Sequence, residues 1–225
     1  MIKNISNLGD AALYCDFGSE VNKQINSEVI KYFNTIREEN IDGINNLTPS
    51  YNKLIISYDL KITNFNEVKD KIKNLKVSEE TTVNNKSIVI PVCCNDLFSL
   101  DMKRVENKLD LSKEKILENF FGKEFFCYMT GFIAGMPFLG DLDKNMRVQR
   151  LETPRVKVPK GSVGITEQFA DIYTFESPGG WNIIGNTPLE VFDSSKEKNP
   201  NLINPGDTVT FKQISLAEYK NYNDQ

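Results

Sequence analysis

Along the first 80 residues the spacing of apolar side chains switches between a strand period and a helix period. An opening strand is expected near Ile2–Asn7 and a second over Ala11–Phe17. From Ser19, a capping residue, Val21, Ile25, Val29, Phe33 and Ile36 fall at helical spacing. Asp42–Gly43 breaks that helix, and Lys53–Tyr58 (KLIISY) reads as a strand with β-branched content. Asn64 is placed to cap a second helix, with Glu67 three residues on and Phe65, Val68, Ile72 and Leu75 on one face. Strands and helices in this order predict an α/β layer of ferredoxin-like type over residues 1–80. The polar segment Ser78–Lys86 is the expected linker.

From Ser87 the elements shorten. SIVIPV is a strand, and two helices follow at Leu100–Lys108 and Lys113–Phe121, with Ser99 and Ser112 as their caps. Short strands divided by Gly/Pro turns come next: Ser162–Thr166, Ile172–Phe175, Asn182–Ile184, Leu189–Phe192 and Thr208–Lys212. Such spacing predicts a closed or nearly closed barrel over residues 87–216. The polar tail Glu218–Gln225 is expected to fray. The fold class that results is α+β, a small layer followed by a barrel.

The chain has 225 residues, room for one large domain or two small ones. Its 40% hydrophobic and 26% charged residues suit a soluble globular protein, and a net charge of −4 gives no footprint for nucleic acid or an acidic membrane. No apolar run approaches the roughly 18 residues of a membrane span. The start, MIKNISNLGDAALY, lacks a signal layout, so a cytoplasmic location is expected. Histidine is absent, which removes Ser-His and Cys-His nucleophiles and His-ligated metals. Cys15, Cys93, Cys94 and Cys127 form no CxxC pair, so neither zinc nor a disulfide framework is indicated, and no metal site is expected. Cys127 is a nucleophile candidate by position, but within FFCYM it reads as a small buried hydrophobe.

Residues 128–193 crowd Gly, Pro and aromatic residues together, which specifies a rigid irregular backbone where binding tends to sit. Ser177-Pro178-Gly179-Gly180 suits a type II turn, with Gly at the φ > 0 position. It offers backbone N–H groups at Gly179 and Gly180 and Trp181 as a stacking wall; the alternative is a barrel corner with Trp181 in the core. Arg155, held beside Pro154, suits bidentate binding of a carboxylate or phosphate. Its alternative is a salt bridge to Asp141, Asp143 or Asp171. Tyr128 and Tyr173 carry hydroxyls that need partners, whereas Phe132 and Phe138 read as core. The glycines around Gly131, Gly135 and Gly140 lack the Lys-Ser/Thr of a P-loop.

These segments carry a family resemblance along nearly the whole chain. GDAAL (Gly9–Leu13), DFG (Asp16–Gly18) and PSYNKLIISYD (Pro49–Asp59) lie in the first half. MPFLGDLD (Met136–Asp143), TPR (Thr153–Arg155), VPKGSVGI (Val158–Ile165), SPGGW (Ser177–Trp181), IGNTP (Ile184–Pro188) and NPGDTVTF (Asn204–Phe211) lie in the second. The chain resembles the family of the bacterial 5-oxoprolinase B subunit, allophanate hydrolase subunit 1 and the sporulation-kinase inhibitor KipI. The resemblance implies a ferredoxin-like domain followed by a cyclophilin-like β-barrel. It also implies a non-autonomous subunit, the B subunit, of an ATP-dependent 5-oxoprolinase, inactive alone, with ATP and Mg bound together with partners. Those partners are the A subunit and a cyclophilin-like C subunit. The alternatives are a KipI-like inhibitor of a sensor histidine kinase and an allophanate hydrolase subunit 1-like protein. Substrate or nucleotide would meet Arg155, Tyr128, Tyr173, Ser177, Gly179, Gly180 and Trp181. The departures are concentrated: Asn119 stands where the family usually has His, Glu167–Tyr173 replaces Gly-x-Gln-Thr-Gly-Ile-Tyr, and Asn186 replaces the Arg of Gly-Arg-Thr-Pro.

Overall fold

The computed structural model describes residues 1–77 and 86–222. The chain divides into two compact units, Met1–Asn85 and Lys86–Gln225. The expected linker Ser78–Lys86 falls, apart from Lys86, outside the described residues.

The first unit runs β1 (Asn4–Asn7), β2 (Ala12–Asp16), α1 (Lys23–Glu39), β3 (Ile44–Pro49), β4 (Lys53–Tyr58) and α2 (Phe65–Lys73). The strands form one antiparallel sheet in the order β1-β2-β4-β3. Alternation along β4 buries Leu54, Ile56 and Tyr58 on one face, where Val29 and Ile36 of α1 and Val68 and Ile72 of α2 join them. Asn64 caps α2 by accepting the Asn66 and Glu67 N–H groups at 3.0 and 3.2 Å. The cap of α1 is Asn22, accepting Ile25 N–H at 2.9 Å, so this helix starts later than Ser19 would have it. β3 carries the polar run INNLTP and was not evident from apolar spacing.

The second unit runs β5 (Ser87–Cys93), α3 (Met102–Leu109), α4 (Lys113–Phe121), β6 (Glu124–Thr130), β7 (Pro137–Gly140), β8 (Arg155–Val158), β9 (Ser162–Thr166), β10 (Phe169–Ile172), β11 (Ser177–Gly179), β12 (Asn182–Asn186), β13 (Thr208–Ile214) and α5 (Leu216–Tyr222). Seven strands close a barrel in the order β10-β7-β6-β13-β5-β12-β9, with β9 pairing back to β10. Only β13 and β5 run parallel within it, from Thr208↔Ser87 to Ile214↔Cys93. Closure leaves no open sheet edge. β8 and β11 form a separate two-stranded sheet.

The barrel interior holds Ile90, Val92, Phe125, Cys127, Leu139, Val163, Ile165, Ala170, Ile172, Ile184, Val209 and Phe211. Val105 of α3 and Ile116 and Phe120 of α4 join that core, Phe120 stacking on Phe211 at 4.7 Å. Because strand side chains alternate, the neighbours of these inward residues face out: Tyr128, Phe138, Gly164, Asp171 and Tyr173. Ser112 caps α4 through Lys115 N–H at 3.3 Å.

Further sequence expectations change. The strand expected at Ile172–Phe175 is β10, three residues earlier, because Glu167 takes φ +45° and closes a tight β9–β10 hairpin with Thr166 opposite Phe169. Leu189–Phe192 is not a strand; Phe192 makes one isolated bridge to Asn201. The tail is helical through Tyr222, its start fixed by Ser215 N–H to Glu218 Oε2 at 2.7 Å and Glu218 N–H to Ser215 Oγ at 3.2 Å. Phe132, expected in the core, is 69% exposed with φ +69°.

Candidate functional site

The site begins with the outward residues of β10 and the chain just after it. Asp171 is fully buried, and its Oδ1 accepts Gly164 N–H from β9 at 3.0 Å. A Cβ at Gly164 would lie 2.5 Å from that oxygen and 3.0 Å from Cβ of Trp181, so the glycine leaves the carboxyl its space. Tyr173 is 1% exposed and packs with Met136, Val158 and Ile183, with Ile133 and Trp181 against them. The β8–β11 pair lies on this cluster: a Cβ at Gly179 would stand 2.1 Å from Tyr173 Oη. Neither Gly179 nor Gly180 has a positive φ, so the expected type II turn is absent and the segment is strand. Glycine is required at 179 for room, not for conformation.

Gly179 pairs with Arg155 across that sheet. Arg155 is anchored through Nη2 to Asp101 Oδ1, while Asp101 Oδ2 accepts Ile183 N–H at 2.7 Å. The partner is therefore Asp101, not Asp141, Asp143 or Asp171. Asp101 is 5% exposed and ties the start of α3 to β8 and β12. Arg150 lies against Gly180, where an added Cβ would approach its guanidinium at 3.0 Å. Arg104 donates to Asn182 Oδ1 and to the Gln149 carbonyl, and so holds the chain leading to Arg150 against β12.

Among the described residues, three buried polar atoms of this unit have no hydrogen-bond partner: Arg155 Nη1, Asp171 Oδ2 and Tyr173 Oη. Each such group costs on the order of 1–3 kcal/mol while it stays unpaired. Burial pushes the Asp171 carboxyl well above its ordinary range, against the weaker pull of Gly164 N–H. Burial also raises the Tyr173 phenol, with Asp171 adding to the effect; Trp181 N–H, short of a hydrogen bond, and the cations Arg150 and Arg155 oppose it. The cluster combines a carboxyl held in its neutral form with two guanidinium groups and a phenol.

Arg155, Tyr173, Gly179, Gly180 and Trp181 thus come together. Ser177 lies further along β11, its Oγ on the Pro178 carbonyl at 3.4 Å. Tyr128 stands apart, donating to both Asp141 carboxylate oxygens at 2.8 and 3.0 Å. Ring contacts still join it to the cluster over the outer face: Tyr128–Phe169 at 5.9 Å, Phe169–Phe138 at 6.3 Å and Phe138–Trp181 at 5.5 Å. Asp101, Arg150 and Asp171 were missing from the sequence-based candidates. Arg150 shares a short segment with Arg155, RLETPR, which is the signal that marks it; Asp101 has none. Asn186 holds the turn before β9, donating to the Lys160 carbonyl at 2.9 Å and accepting Tyr219 Oη–H at 2.7 Å. Cys127 is buried in the barrel core with its thiol pushed above its ordinary range by burial, which leaves no nucleophile there.

A sheet unit followed by a closed barrel unit makes up a carboxyltransferase-like chain, as the family match shows. Residues 3–203 match the family model described as carboxyltransferase domain, subdomain C and D, and the chain belongs to this family, which takes in 5-oxoprolinase B subunits. It is 33% identical to the 5-oxoprolinase B subunit of Bacillus subtilis (strain 168), over 98% of this chain and 97% of that one. Among solved structures, the conserved uncharacterized protein PH0987 of Pyrococcus horikoshii is 35% identical, with a TM-score of 0.57 over 96% of this chain and all of that one. TTHA0988 superposes with a TM-score of 0.81 at 27% identity over 91% of this chain. The chain spans 40% of the length of TTHA0988.

Proposed function

We propose that this chain is the B subunit of a prokaryotic ATP-dependent 5-oxoprolinase, the enzyme that opens 5-oxoproline to L-glutamate. The observation that carries the reading is the end-to-end likeness to the Bacillus subtilis protein of that name, 97% of whose length is matched. The lactam is a resonance-stabilised amide, so a catalyst must hold its carboxylate and stabilise charge at its carbonyl. Arg155 and its neighbours supply donors suited to both tasks. Among the described residues no three His, Cys, Asp or Glu side chains gather as a metal site would need. No P-loop lysine follows the glycines of residues 131–140. These residues do not fit a Mg–ATP site, so ATP with its magnesium is assigned to partner subunits. The chain works in a cytoplasmic hetero-oligomer with the A subunit and a cyclophilin-like C subunit.

In this reading the barrel is itself cyclophilin-like. The first unit is ferredoxin-like with one strand relocated: β2-α1-β3-β4-α2 follows the split βαβ path, and β1 fills the place of the last strand from the front of the chain. No described helix is long and apolar enough to cross a membrane.

The test is ATP-dependent release of glutamate from 5-oxoproline by the chain alone and by the chain co-expressed with its genomic neighbours. The complex turns over and the chain alone does not. Robust turnover by the single chain, or no association with the product of any neighbouring gene, would overturn the proposal.

A further inference from the structure

The three unpartnered atoms share a chemistry. Arg155 Nη1 and Tyr173 Oη are donors. Asp171 Oδ1 is taken by Gly164 N–H, so the proton of the neutral carboxyl sits on Oδ2 and makes it a third donor. Asp171 and Tyr173 are each at least nine-tenths buried, so bulk water does not reach them. Three donors set around one outer-face cluster call for a ligand that is rich in acceptors.

We infer that Arg155, Tyr173 and Asp171 form one recognition site for a small carboxylate that also bears an amide carbonyl. The Arg155 guanidinium takes the carboxylate, with Arg150 at the rim. Tyr173 Oη–H and Asp171 Oδ2–H take the carbonyl oxygen, where the neutral acid avoids repulsion against the anion. Trp181 supplies an apolar wall beside them. The β8–β11 pair that covers the cluster hydrogen-bonds in its own sheet and not in the barrel ladder, so moving it aside leaves the barrel pairing intact and gives up the Arg155–Asp101 ion pair. That the amide is a lactam rests on the function proposed above; the donor set itself does not.

The experiment titrates the full-length chain calorimetrically with 5-oxoproline, with proline, which lacks the amide carbonyl, and with inorganic phosphate. Asp171→Ala and Tyr173→Phe are each expected to weaken 5-oxoproline binding about tenfold. Asp171→Asn, which keeps a donor and the shape, stays within about threefold of the wild type. Proline binds about tenfold more weakly than 5-oxoproline, and phosphate does not compete. Phosphate that competes at equal affinity, or variants that bind as the wild type does, overturn the site. Fluorescence of Trp181 checks that each variant is folded. Steady-state kinetics of the co-expressed complex separates the two readings. Turnover with KM for 5-oxoproline unmoved in all three variants overturns the site and leaves the function. Binding that depends on Asp171, in a complex without turnover, overturns the function and leaves the site. No binding by chain or complex overturns both.

Discussion

Asp101→Ala should unfold the barrel unit earlier by a margin the structure sets. The Asp101 carboxylate is 5% exposed and serves two elements at once, Arg155 of β8 and Ile183 N–H of β12. Removing one partner of a buried ion pair costs about 3–5 kcal/mol, mostly because the other charge is stranded. Arg155 keeps 28% exposure, so water relieves part of that penalty and brings its share to about 2 kcal/mol. The orphaned Ile183 N–H adds about 1 kcal/mol. The sum, about 3 kcal/mol, corresponds to a fall in melting temperature of roughly 10 °C for a unit of this size. The chain's single tryptophan, Trp181, lies in this unit, so its fluorescence reports the barrel transition without signal from a tryptophan in the other unit. Asp101→Asn keeps an acceptor for Ile183 N–H and should recover about 1 kcal/mol. Arg155→Met removes the stranded cation, so the double variant Asp101→Ala/Arg155→Met should cost at least about 1 kcal/mol less than its two singles summed. Singles that add within about 0.5 kcal/mol, or an Asp101→Ala transition unshifted from the wild type, would refute the reasoning.

Gly179→Ala places a Cβ 2.1 Å from Tyr173 Oη and 2.7 Å from its Cζ, and the overpacking should cost about 1–3 kcal/mol in denaturant midpoint analysis. Tyr173→Phe removes only the nearer atom, so adding it gives partial relief; an unaffected single variant contradicts the geometry. The Asp171 carboxyl holds its proton in the fold at pH values where the unfolded chain has lost it. Its contribution therefore declines as pH rises from the ordinary value of 3.8, and Asp171→Asn should flatten that decline; parallel stability curves from about pH 4 to 8 would mean an ionised carboxylate. All four cysteines are free and buried, with Cys15 and Cys94 pushed up to about 12 by burial. They should stay silent to a thiol reagent at about pH 8 until the chain unfolds, and rapid labelling of any of them in the native protein would show an exposure the fold does not have.

Local chemistry was legible where it had no competitor. Asn64 and Ser112 cap their helices because their side chains reach the first free N–H groups of the turn that follows, and KLIISY and SVGIT are strands because alternation and β-branching agree there. Ser99 and Asp101 show the limit. The residue at the cap position of α3 is Asp101, yet it makes no side-chain cap bond, because Arg155 and Ile183, 54 and 82 residues away, hold its carboxylate. Ser99 Oγ meanwhile donates to the Asn95 carbonyl at 3.0 Å. The β9–β10 turn was missed because Glu167 sits in a region that glycine or asparagine usually fills, and the flanking pairing holds it there together with Glu167 N–H on the Val148 carbonyl at 2.8 Å.

The same contrast runs through the site. Crowded Gly, Pro and aromatic residues drew seven candidates, and the fold brings five of them together where β8 and β11 press on the barrel. The reason was different from a turn: Gly179 answers a distance to Tyr173 that no local pattern encodes. Asp171 is the clearest case. In the linear chain it is one acidic residue in the run FADIY, marked only as one of three possible ion-pair partners for Arg155. Strand alternation turns it outward, burial on that face then shuts out bulk water, and Gly164 satisfies only one of its oxygens. A donor created by burial is a property of the closed surface around it, and so becomes visible only once the whole outer face is assembled.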